Sequence, residues 1–271
     1  MPGIRETPNG TSIEATTTAT SDRQFRGLRR YNLVAAGFHA LQATAVLALS
    51  NDFTLPVTAS YLQGPPGTPP IQPTTLFEIR VGWGAAAFLA LSALAHLVVA
   101  TPTFFPRYVS GLRRHHNIFR WVEYSISASI MIVLIAQIVG ISDVAALLAI
   151  FGTNVSMIQF GWLQERYEEP GSGGWLPFTF GCVAGIVPWV AIMIYLFTPG
   201  SPNPVEPPGF VYGIFVSLFI LFNIFALNQW LQYRRLGRWS DYLVGERAYI
   251  TLSLVAKSLL AWQVFAGTLA S

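Results

Sequence analysis

Charge is scarce in this chain. Only 11% of its 271 residues are Asp, Glu, Lys or Arg, against about 25% in an ordinary soluble domain. A soluble globule needs a charged coat, and this composition does not supply one. The net charge of +3 is too small to suggest nucleic acid. The arginines sit at the ends of apolar runs, the pattern of anchoring at a membrane surface. Cysteine is nearly absent. Cys182 stands alone, which excludes an intramolecular disulfide and leaves the redox compartment unread; within its apolar stretch it reads as a small buried residue. No metal-ligand spacing, nucleotide loop or hydrolytic triad is present, so no enzyme is expected. Residues 1–22 are rich in Thr, Ser and charge and lack the apolar core of a signal peptide. They read as a disordered tail ahead of a membrane domain over residues 23–271.

What the chain has is apolar length: 52% of it is hydrophobic. A helix crossing the hydrocarbon of a bilayer needs about 20 apolar residues. Seven segments qualify, at 31–50, 76–100, 118–141, 143–164, 175–198, 209–233 and 242–268. The expected fold is an all-α membrane protein, a bundle of seven transmembrane helices. Gly64-Pro65-Pro66-Gly67 and Pro69-Pro70 break the 51–75 connection, which is long enough for a short hairpin. Five further prolines with Gly200 make residues 199–208 a loop, and Pro188 is expected to kink the fifth span.

The basic residues orient the bundle. Arg5, Arg23, Arg26, Arg29 and Arg30 precede the first span. Arg107, Arg113 and Arg114 fall in the second connection, Arg166 in the fourth, and Arg234, Arg235 and Arg238 in the sixth. That places twelve on one side, and the 51–75, third and fifth connections hold none. Positive residues stay inside, so the N-terminus is expected in the cytoplasm, with the 51–75 loop and the C-terminus extracellular.

Charges inside a bilayer are expensive and ask for a partner or a purpose. Glu78, Arg80 and Asp143 lie at span ends, within reach of water. Glu246 and Arg247 lie in the first turns of the last span and also reach the interface. Lys257 differs. It is the only lysine in the chain and sits near mid-membrane in the last span. Arginine serves every other basic need here. What arginine cannot do is form an imine with an aldehyde, whereas a desolvated lysine amine can. Lys257 is therefore either the site of an internal Schiff base or one half of a buried ion pair that serves structure or ion transport.

Glu123 is the expected partner, one to two turns into the third span. Both helices run in the same direction, and helical side chains lean back toward the N-terminus, so Lys257 leans toward the level of Glu123. The alternative is a carboxylate at the interface. His39 and His96 lie at a matching depth, either as a proton-accepting pair beside Lys257 or as structural residues. Ser253 precedes Lys257 by one helical turn and shares its face; Ser127 follows Glu123 by one turn and Ser92 precedes His96 by one. Aromatic residues, Trp189, Phe215, Phe219 and Phe222 among them, either clamp a flat ligand or pack as ordinary membrane helices do.

Seven spans with a lysine in the middle of the last resemble retinal proteins. The string Trp121-Val122-Glu123-Tyr124-Ser125-Ile126-Ser127-Ala128-Ser129, the stretch from Ser253 to Lys257 and the inside-facing N-terminus are similar to the heliorhodopsins. The resemblance covers all seven spans and begins near Arg23. It implies all-trans retinal joined to Lys257 as a protonated Schiff base, with Glu123 as counterion. It also implies Ser253, His39, His96, Ser92 and Tyr124 nearby, and Asn154, Met157, Trp189 and Phe222 in the pocket. Arg120, Glu165 and Tyr242 would border a cytoplasmic-side cavity. It further implies a homodimer in the plasma membrane, in which the long first loop takes part.

Pumps of that kind carry a second carboxylate three turns beyond the first and an aspartate one turn before the lysine. Leu134 and Ser253 stand at those places. The expected output is therefore a slow conformational photocycle, read by an unknown cytoplasmic signalling partner, without ion pumping. A light-gated ion or proton conductor and a retinal-free seven-helix transporter are the alternatives.

Overall fold

A computed structural model describes residues 9–68, 72–197 and 206–269. Helix α1 runs Asn9–Leu49. It is followed by strands β1 (Thr54–Ala59) and β2 (Thr74–Arg80), then by α2 (Val81–Ala100), α3 (Phe105–Arg113), α4 (Ile118–Ile138), α5 (Val144–Tyr167), α6 (Leu176–Phe197), α7 (Gly209–Tyr233) and α8 (Tyr242–Val264). A 3₁₀ turn at Gly237–Ser240 precedes α8, and a π-helical turn at Phe265–Leu269 extends it. Among the described residues seven helices are long and apolar enough to cross a membrane: Asp22–Leu49 of α1, α2, α4, α5, α6, α7 and α8 with its extension to Thr268.

Three features differ from the sequence expectation. Helical backbone begins at Asn9, inside the segment read as disordered. No proline interrupts residues 9–49, so nothing in the chain stops the helix short of Asn9. Residues 1–8 lie outside the described set. Residues 76–80, read as the start of the second span, belong to β2, in which Phe77, Glu78, Ile79 and Arg80 pair antiparallel with β1 and Leu76 is passed over at a bulge. Arg80 therefore sits in the first connection and pairs with Asp52 at 3.0 Å; both side chains are exposed. The second connection holds a helix that was not anticipated, α3, with Pro106 in its first turn, where a missing N–H costs nothing. The third and fourth spans separate at Gly140, whose φ of +96° suits glycine, and Asp143 caps α5 by accepting from the N–H groups of Ala145 and Ala146.

The connections gather at two ends. At one, Thr58 in the hairpin donates its N–H to Ser142 O at 2.8 Å, and Asn51 Nδ2 donates to Thr268 O at 3.2 Å. At the other, which carries most of the arginines, Arg29 Nε donates to Ala100 O at 2.8 Å and Gly171 N donates to Tyr233 O at 2.9 Å. The core toward the hairpin end is apolar, with Phe88, Leu89, Met131, Ile132, Leu134, Ile135 and Ile192 buried. A smaller cluster at the arginine-bearing end seats α3 through Tyr108 and Leu112 against Phe25, Leu28 and Leu243. Many leucines, valines and isoleucines remain exposed around the bundle, as a lipid-facing surface requires.

Candidate functional site

Lys257 and Glu123 meet. The Lys257 Nζ lies 2.7 Å from Glu123 Oε1, with side chains 3% and 9% exposed. Helical periodicity builds the rest. Ser253, one turn before Lys257, accepts a hydrogen bond from Nζ at 2.9 Å. Ser92 on α2 donates to the same Glu123 oxygen at 2.6 Å. Tyr124 places its ring 5.0 Å from Nζ and ties α4 to α8 by donating to Tyr249 O at 2.9 Å. A buried ammonium and carboxylate are tolerated together only with such donors and acceptors around them.

His39 and His96 stack, with ring centroids 5.7 Å apart and 8° between planes. The Nδ1 of His96 is 2.8 Å from Asn32 Oδ1. Neither ring nitrogen of the buried His39 has a hydrogen-bond partner among the described residues. From Asn32 the polar contacts continue toward the arginine-bearing end. Asn32 Nδ2 donates to Tyr108 OH at 3.4 Å, and Tyr108 donates to Glu246 Oε1 at 2.9 Å.

Glu246 is thus not at the interface, as its position in the first turns of the last span suggested. It is 2% exposed and pairs with Arg120. The guanidinium also pairs with Glu165, so its planar fork holds two carboxylates, an arrangement a point-like ammonium cannot reproduce. Glu165 accepts further bonds from Trp121 Nε1 at 2.5 Å, Tyr242 OH at 2.8 Å and Asn117 N at 2.9 Å. Of this cluster the resemblance implied Arg120, Glu165 and Tyr242; Glu246 joins it from another helix.

Beside Nζ lies a cavity of about 190 Å³. Lys257, Ser253, Tyr124, Met157, Trp189 and Phe222 line it. Trp189 meets Phe219 and Phe222 edge-on, each with centroids 5.4 Å apart. Asn154 does not line it; its amide donates to Ser129 Oγ at 2.9 Å and joins α5 to α4. Cys182 is exposed and lines the cavity, so its reading as a buried apolar residue fails. Sequence reading passed over Trp121, Tyr249, Gly161, Gly181, Gly185 and Gln229, which are also in the wall. The glycines were the available signal. A Cβ on Gly161 would fall 2.6 Å from the Trp121 ring, and one on Gly185 would fall 2.5 Å from Met157 Sδ. The cavity exists where side chains are missing and rings stand edge-on, a shape that suits a long flat apolar group attached at the amine.

Residues 28–269 match the family model of the heliorhodopsins. The chain belongs to the heliorhodopsin family. As a heliorhodopsin it is a retinal-binding, light-sensing rhodopsin and an integral multi-pass membrane protein. The crystal structure of the transmembrane domain of Salpingoeca rosetta rhodopsin phosphodiesterase is similar in fold, with a TM-score of 0.56 at 10% identity, over 95% of this chain and 88% of that one. At that identity the likeness is one of fold alone. No curated protein sequence matches this heliorhodopsin.

Proposed function

We propose that this protein is a non-enzymatic photoreceptor that carries all-trans retinal on Lys257, with Glu123 as the counterion, and answers light with a slow conformational change rather than ion pumping. The observation that carries the reading is the placement of the only lysine. Its Nζ borders an aromatic cavity and is held by Glu123, outside the cavity wall, and by Ser253 within it. Retinal, when bound, supplies the visible absorption and the light-driven change of shape. The residues do the rest. Lys257 offers the amine for covalent attachment. Glu123 places one negative charge at that nitrogen, and Ser92 fixes the carboxylate from behind. Trp189, Phe222, Met157 and Tyr124 exclude water from the cavity and restrict the shapes its occupant can take.

Two features support the absence of pumping. Leu134, where a pump would carry its second carboxylate, is buried in the apolar core together with Met131, Ile132 and Ile135. A separate set of polar contacts, from His96 through Asn32 and Tyr108 to Glu246, runs toward the arginine-bearing end. That one-sided path gives a light-gated proton conductor its only support, and the apolar half opposes it.

The arginine-bearing end faces the cytoplasm in this reading, with the hairpin and C-terminus outside. Arg80 is an exception on the hairpin side, already paired with Asp52. The protein works in the plasma membrane as a homodimer, the hairpin contributes to the dimer contact, and a cytoplasmic partner reads the signal. The decisive test is the visible spectrum of protein expressed with all-trans retinal, beside Lys257→Ala. A visible band in the wild type that disappears in the variant is expected. No band in either protein would turn Lys257–Glu123 back into a transporter's ion pair.

A further inference from the structure

Two cavities lie on either side of the Arg120 cluster. The first is the one beside Lys257, with Trp121 in its wall. The second, of about 480 Å³, lies at the arginine-bearing end, with Glu165, Tyr242 and His115 in its wall. Glu165 stands in the partition between them. It accepts from Trp121 Nε1 at 2.5 Å on the first side and from Tyr242 OH at 2.8 Å on the second. The Tyr242 ring in turn stacks on His115, with centroids 5.1 Å apart and 23° between planes.

The outer end of this chain of contacts is strained. His115 has φ of 58° and Arg235 has φ of 51°, and these are the two non-glycine residues with positive φ among the described residues. Both line the second cavity. A left-handed backbone is sparsely populated by residues that bear a Cβ and persists where its surroundings hold it. The inner end has no slack. The Trp121 ring lies so close to Gly161 that an added Cβ would fall 2.6 Å away, and Gly161 precedes Glu165 by one turn on the same face of α5.

We propose that Glu165 is the positioning residue that carries a change of shape in the Lys257 cavity to the surface segment around His115, through Trp121 on one side and Tyr242 on the other. A push on Trp121 is delivered to α5 at Gly161 and to the Glu165 carboxylate through the indole N–H. The carboxylate also holds Tyr242, so moving it releases the Tyr242–His115 stack. The strained turn at residues 113–117 then relaxes. Its amides are closed in the resting state: Arg114 N and His116 N both donate to Gly111 O at 2.9 Å, and His115 N donates to Leu112 O at 3.0 Å. The inference rests on the retinal reading above and adds to it the route and the place of the output.

The test is hydrogen-exchange mass spectrometry on the full chain with retinal bound, dark against illuminated, for wild type, Trp121→Phe and Tyr242→Phe. Each substitution keeps a ring and removes one hydrogen bond to Glu165. Tyr242 lies outside the Lys257 cavity, so Tyr242→Phe keeps the visible band. Comparison at equal photoconversion separates coupling from light uptake. In the wild type, light is expected to speed exchange at residues 113–117 at least about threefold, the mark of local opening. In both variants that light effect is expected to fall, to a smaller extent in Tyr242→Phe, where Asn117 N still donates to Glu165. A wild type that converts in light without faster exchange there overturns the inference, as does an undiminished light effect in Tyr242→Phe. A wild type with no visible band overturns the retinal reading, and this inference with it.

Discussion

Replacing Gly161 by alanine adds one methyl group where the structure has no room for it. The new Cβ would meet Trp121 Cζ3 at 2.6 Å and Cη2 at 2.8 Å, and ordinary contact begins near 3.4 Å. The ring would have to retreat by about 0.8 Å, well into the range where packed interiors resist. It cannot do so freely. Its far side meets Tyr249 edge-on with centroids 6.1 Å apart, Arg120 lies over it at 4.7 Å, and its N–H is bound to Glu165. Overpacking of this kind costs about 1–3 kcal/mol, and a lost hydrogen bond to a charged group costs about 1.5–3 kcal/mol. The sum is about 2.5–6 kcal/mol, or about 5–24 °C in midpoint for a chain of this size. Gly152 supplies the control on the same helix, since a Cβ there meets nothing within 4 Å. Gly152→Ala should gain up to about 1 kcal/mol of helix propensity. The assay is thermal loss of the visible band in detergent, with the absorption maximum recorded for both variants. Gly161→Ala should melt lower and shift the maximum, because Trp121 lines the cavity. Equal midpoints for the two variants would refute the close packing of Trp121 on α5.

Substitutions at two further positions test other parts of the site. Arg120→Gln leaves Glu165 and Glu246 buried without their shared cation and should cost at least about 3–5 kcal/mol; Arg120→Lys should recover little of it, as the folded fraction in detergent will show. Asn154→Leu removes one bond to Ser129, worth about 0.6 kcal/mol between membrane helices. It should leave the absorption maximum in place, and a shifted maximum would put Asn154 in contact with the chromophore after all.

The family was legible in short strings. The segment around Glu123 and the placement of the lone lysine were enough to suggest it, and both residues carry chemistry that few alternatives explain. The neighbours of that pair were only partly legible. Ser253 follows from helical periodicity, because residues one turn apart share a face whatever the tertiary structure. Asn154 was expected only from the resemblance; its amide donates to Ser129, and which face of α5 meets the cavity is a matter of packing. Glu246 was misplaced for a related reason. Distance from a span end says how far water is along the chain, whereas Arg120 arrives from another helix.

The sequence by itself determined the number and rough limits of the spans, because apolar length against the thickness of a bilayer is a local property. It determined the asymmetry of the arginines and singled out Lys257. Tertiary structure alone decided which residues face one another. The hairpin took over residues 76–80 because β1 was available to pair with them. The cavity is walled by glycines on α5 and α6 and by rings on α4, α6, α7 and α8, and no single span contains that information. The double grip of Arg120 on Glu165 and Glu246 likewise depends on α4, α5 and α8 converging, since a buried charge is tolerated only where its partners arrive from elsewhere in the chain.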